Sequence, residues 1–166
     1  MSEKIVRDLG ELGINLQKIV SRLLKNQNLL KLLYYTDKDP LAGEDFTEEE
    51  KRNYIYEKRI KVVPRVGPQE TAMSTLTMRV VRGRMNQENQ EFQNITIHFE
   101  IFVPMTQWLI KDSNLRPFCI MSELSKSING KVINGMGRLT GGDFQLNFLT
   151  DEMSCYEVWY DLIEYE

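Results

Sequence analysis

One histidine, two cysteines and a slightly acidic balance leave this chain poor in the side chains from which catalytic and metal centres are usually built. With 21 Lys and Arg against 24 Asp and Glu, the formal net charge is −3. Such a surface has no broad positive field to displace the counterions condensed on a nucleic acid, so generic DNA or RNA binding is not expected. Cys119 and Cys155 lie apart, without CxxC spacing, and no secretory h-region is evident, which predicts a reducing cytosol. The longest apolar runs, such as Asn28 to Tyr35, fall well short of the roughly 20 residues that cross a bilayer. No membrane span is expected.

What is present is an ordinary globular mixture, 42% hydrophobic and 27% charged over 166 residues, enough for one domain with its own core. Ile5, Leu9, Leu12, Leu16, Ile19 and Leu23 recur at helical spacing, and Lys4, Arg7, Asp8, Glu11 and Lys18 occupy the other face. Asn26 to Asn28 interrupts this helix with cap-forming residues. Leu29, Leu30, Leu32, Leu33 and Tyr34 then predict a short, deeply packed second one. Asp37, Asp39, Pro40 and Gly43 make a loop. Thr47 with Glu50 forms a capping box that starts one or two further turns, and that role accounts for the acids around it without a metal.

The period then changes from helix to strand. Ile60 and Val62 mark a first strand, and Leu76, Met78 and Val80 a second. Ile95, Ile97, Phe99, Ile101 and Val103 alternate with Thr96, His98 and Glu100, which places one apolar face inward and one mixed face outward. Leu76 to Val103 therefore reads as an extended hairpin with a polar tip. Arg82, Arg84, Met85, Asn86, Gln87, Glu88, Asn89 and Gln90, at and beside that tip, are candidate partner-binding residues, as are Gly67 and Pro68 in the loop before the hairpin. Whether Arg79, Arg82 and Arg84 face a lumen, an interface or solvent is left open by their spacing.

Arg116 to Ile128 predicts an amphipathic helix with Pro117 in its first turn and Phe118, Met121, Leu124 and Ile128 on its apolar face, stopped by Gly130. After it, Val132 to Leu139, a Gly141-Gly142-Asp143 turn, Phe144 to Phe148 and Tyr156 to Leu162 predict closing hairpins. The fold class is α+β: an N-terminal helical part over residues 1–35, and a sheet with one packed helix over 58–166, in a single domain.

Catalysis finds no foothold in this pattern. His98 has no nucleophile or paired base and is expected to face outward or into an interface. Gly135-Met136-Gly137 and Gly141-Gly142 match no phosphate loop and carry no following basic ligand, so tight turns explain them better. Cys119 is expected in the core. Trp108, Trp159, Tyr156 and Tyr160 suggest a base-stacking platform, against which the nearby Asp151, Glu152, Glu157 and Asp161 argue. No catalytic residue, metal ligand or cofactor is assigned.

The order of these elements, from Leu29 to Leu162, resembles the neck proteins of tailed bacteriophages, in particular tail terminators and head-tail connector components. The resemblance is carried by the Asn26 to Tyr35 segment, Ile97 to Val103, Arg116 to Gly130 and the Gly135-Met136-Gly137 turn. It implies a virion protein, assembled in the host cytoplasm, that forms a ring, usually a hexamer, on the tail tube and leaves a DNA channel. Its implied partners are its own copies and the tail tube and connector proteins, with DNA passing through but not specifically bound. Two other classes compete with it: a non-viral adaptor module without a ring, and an enzyme or small-ligand binder of unrecognised type.

Overall fold

A computed structural model describes residues 9–62, 73–85, 87–88, 92–133 and 137–163. Helix α1 spans Leu9–Leu23 and α2 spans Gln27–Tyr34. Of the stripe the spacing predicts, Leu16, Ile19 and Leu23 are buried and Leu12 is partly buried, with Val20 buried beside them, while Ile5 lies outside the described residues; all four leucines of α2 are buried. Asn26 caps α2: its side chain accepts from Leu29 N and donates from Nδ2 to Ser127 Oγ at 2.9 Å, so one residue both starts a helix and ties it to a distant one. The expected capping box closes at Thr47 and Glu50, opening α3 (Glu48–Glu50), which continues as a π-helical turn, Lys51–Ile55.

Among the described residues, six strands form one mixed sheet in the order β1-β2-β3-β8-β7-β6. They are β1 (Ile60–Lys61), β2 (Thr75–Met85), β3 (Phe92–Pro104), β6 (Val132–Ile133), β7 (Gly137–Leu149) and β8 (Met153–Ile163). β4 (Leu109–Ile110) and β5 (Asn114–Leu115) make a separate small pair before α4 (Arg116–Ile128). Among the described strand pairs of this sheet, only β1–β2 is parallel. The predicted hairpin is β2–β3, and its apolar alternation buries Leu76, Met78, Ile95, Ile97, Phe99, Ile101 and Val103 against the three longer helices. The class is α+β, a mixed sheet with helices, as expected.

Two expectations are corrected. The residues Gly141-Gly142-Asp143 are not a turn: they lie inside the continuous strand β7, where the register against β8 shifts between Gly141 and Asp143. A bulge needs what a turn needs, backbone outside the L-residue region, and Gly141 (φ 143°) and Gly142 (φ 104°) supply it. A Cβ on Gly141 would stand 2.7 Å from Trp159 O, so β8 approaches too closely for any side chain there. The second correction is on α4, where Phe118 is 38% exposed and Ile120 is buried with Met121, Leu124 and Ile128. Successive helical residues turn by about 100°, which carries Phe118 to the flank of a stripe centred on Pro117, Leu124 and Ile128. Gly130 does end the helix, with φ 68° just beyond the cap at Asn129.

Candidate interaction surface

The sheet face turned away from the helices carries a polar network that links four strands. Arg79 on β2 donates to Glu100 Oε1 on β3 at 2.5 Å and to Glu157 Oε1 on β8 at 2.9 Å. Thr77 donates to the other Glu100 oxygen, Gln145 on β7 donates to Glu157 Oε2 at 3.2 Å, and His98 Nδ1 lies 2.5 Å from Glu157 Oε1. Burial works to raise the Glu157 pKa, but the hydrogen bonds from His98 and Gln145 and the charges of His98 and Arg79 hold it below its ordinary value. An ionised carboxylate only accepts, so His98 Nδ1 carries the proton of that contact. His98 also lies against Trp159, ring centroids 5.8 Å apart. Both carboxylates are thus occupied by an arginine and by cross-strand donors, and the network ties the strands in register. Among the described residues, no group of three or more His, Cys, Asp or Glu is placed to hold a metal ion. Burial pushes the Cys155 thiol on this face up to about 12, and burial with the nearby Glu123 raises Cys119, so neither is an activated thiolate.

On the opposite side of the molecule, Arg116 organises the loops. It has no solvent exposure, and its guanidinium donates to the carbonyls of Gln107 (2.8 Å), Leu32 (2.6 Å), Tyr35 (2.7 Å) and Asp37 (2.8 Å). It therefore joins the end of α2, the following loop and the start of α4.

The two outer edges of the sheet differ in character. Among the described residues, β2 has an outer neighbour only at Leu76 and Thr77, and β7 only at Gly137 and Arg138, with Asn129 and the chain beside it bonding Leu139 and Gly141. Beyond those points no other described strand pairs with either edge. The β2 edge is broken by register shifts around Arg82 and carries the exposed Arg82 and Arg84, the devices that keep an edge from pairing indiscriminately. The β7 edge carries the opposite: Phe144 (52% exposed), Leu146 (48%), Phe148 (41%) and Leu149 (55%). A second register shift, between Leu146 and Phe148, turns Phe148 to the far face, where it meets Phe102 at 6.0 Å. On the helix side, Phe144 continues into an aromatic patch with Phe118 and Tyr156, at 6.0 and 6.2 Å, and Tyr156 reaches Trp108. Trp159 stands on the other face and Tyr160 is buried against Phe99, so the four aromatics of the stacking pattern form no single platform.

Of the residues marked by the sequence, Arg82 and Arg84 lie on β2, exposed, and Gln87 and Glu88 are exposed beyond its end. Met85 ends β2. Asn86, Asn89, Gln90, Gly67 and Pro68 lie outside the described residues, as do Gly135 and Met136. The open β7 edge was not singled out by sequence reasoning; its only signal was the run of Phe144, Leu146 and Phe148 followed by Leu149.

A family model matches residues 26–162, the stretch from the cap of α2 to the end of the sheet. The chain belongs to the YomW family. That name is Bacillus phage-derived and marks a phage-related protein. The YomW match includes both sheet edges, the polar network and Arg116. No curated protein matches the chain.

Proposed function

We propose that this chain is a structural subunit of a phage particle that assembles with its own copies into a closed ring at the tail end or neck, and acts by assembly rather than catalysis. The observation that carries the reading is the open β7 edge with four large apolar side chains about half exposed, continued by the aromatic patch of Phe118 and Tyr156. An edge of this kind invites strand addition, and soluble chains that remain alone protect it. The phage-related family supports the setting, and the resemblance to neck proteins supplies the finer terms: a hexamer, seated on the tail tube beside the connector, enclosing a DNA channel. The polar network favours a scaffold, because its charged groups are committed to one another.

Light scattering after size exclusion, with negative-stain images of the same fractions, tests this. A ring-shaped particle whose mass is a multiple of the 19.5 kDa chain is expected. A monomer at every concentration, with or without purified tail tubes, would remove the reading and favour a lone adaptor.

A further inference from the structure

Resting on that assembly reading, we infer which surfaces meet: the open edge of β7 on one copy pairs with the open edge of β2 on the next, so that the sheet continues from subunit to subunit. A closed ring needs two different, complementary patches on each copy, and the two ends of this sheet provide them. The β2 edge is basic, with Arg82 and Arg84. The β7 edge is apolar and carries Asp143, with Asp151 and Glu152 in the turn that follows it.

Strand direction fits as well. β2 is antiparallel to β3, β3 to β8 and β8 to β7, so β7 runs opposite to β2 within one copy. Rotation about an axis along the strands preserves that direction, and the junction would be antiparallel like the sheet on either side of it.

The ladder also fixes a register. Reading across one copy, Asp143 is level with Trp159, His98 and Arg79, whereas Arg82 is level with Thr96, Asp161 and Thr140. Sliding β7 by two steps brings Asp143 opposite Arg82. An even step keeps every side chain on its own face. The same slide sets Phe144, level with Val158 and Met78, opposite Val80, and sets Gln145 opposite Arg79. Phe144 then meets Val80 on the helix side and Asp143 meets Arg82 on the other, and the pairing ends where Leu146 stands opposite Met78, because Thr77 and Leu76 already pair with β1. Closed sheets carry such a stagger as a matter of geometry.

The test uses the full chain with Cys119→Ser to remove the partly exposed thiol. Directly opposed residues on antiparallel strands stand about 4.5–5.5 Å apart at Cα, which a disulfide spans. The double variant Arg82→Cys with Asp143→Cys should, on mild oxidation, give a ladder of covalent multimers on a denaturing gel, and neither single variant should pass a dimer. Arg82→Glu should weaken assembly by about fivefold at each interface, the effect of like charges set opposite one another, and adding Asp143→Arg should restore it. Circular dichroism verifies that each variant is folded. Rings that persist in Arg82→Glu, with no ladder from the cysteine pair, would overturn the edge pairing while leaving the ring intact. A wild-type chain that never assembles fails the broader reading instead.

Discussion

Replacing Arg116 with methionine keeps much of the side-chain volume and removes every donor, which isolates the four hydrogen bonds to Gln107, Leu32, Tyr35 and Asp37. Each bond from a charged group contributes about 1.5–3 kcal/mol, and a buried acceptor left without a partner costs about 1–3 kcal/mol. These do not add fully, because relieving the guanidinium of its desolvation returns part of the loss. A net destabilisation of about 3–5 kcal/mol follows, set by the carbonyls that water cannot reach. For a chain of this size each kcal/mol lowers Tm by about 2–4 °C, so the melting point should fall by roughly 6–20 °C. Arg116→Lys should recover only part of that loss, since an ammonium has three donors for four carbonyls. Urea unfolding followed by tryptophan fluorescence reads both variants, with Trp108 reporting locally because its carbonyl accepts from Arg116 N. A loss under about 1 kcal/mol for the methionine variant would refute the view that one arginine holds the loops to the helices.

Leu124→Ala and Leu16→Ala, both within the buried face, should each cost about 2–5 kcal/mol in the same unfolding assay. Gly141→Ala should cost about 2–4 kcal/mol, because the bulge needs positive φ and the new Cβ meets Trp159 O; a neutral result would mean that β7 pairs with β8 differently. Glu157, with its pKa held below the ordinary carboxylate value of 4.5, contributes stability that is present above that value and lost as pH falls through the depressed one. A pH series of unfolding curves should therefore show an acid loss in the wild type that is smaller in Glu157→Gln.

The helices, the long hairpin and the α+β class were legible because their signals are local. Period, caps and turn residues act over a few positions, and Asn26, Thr47 with Glu50, and Gly130 each do in the structure what their spacing predicts. What was not legible depends on which strands become neighbours. Two glycines and an aspartate read as a turn until β8 is seen to pair on both sides of them. His98 and Glu100 were legible as the outward face of β3, but Arg79 and Glu157 join them only through the registers with β2 and β8. Phe118 shows the limit of a stripe read from few residues, since a shift of the stripe's centre by less than one residue exchanges it for Ile120.

The unequal treatment of the two edges bears most on function. Protection of an exposed edge is ordinary in a soluble protein, and β2 has it in charge and in irregularity. If β7 were only the far end of a self-contained sheet, the same pressure should have placed lysines or a proline along it. Instead its exposed residues after Asp143 alternate between apolar side chains and the neutral Gln145 and Asn147, ending in Leu149. Exposed apolar patches of this extent are costly in solubility unless they are covered in the working state. A partner that presents a basic, interrupted edge would cover the Phe144 and Leu146 end of the patch yet resist pairing with itself, because like charges would meet. That asymmetry favours growth in one direction from copy to copy, and ring closure then limits it.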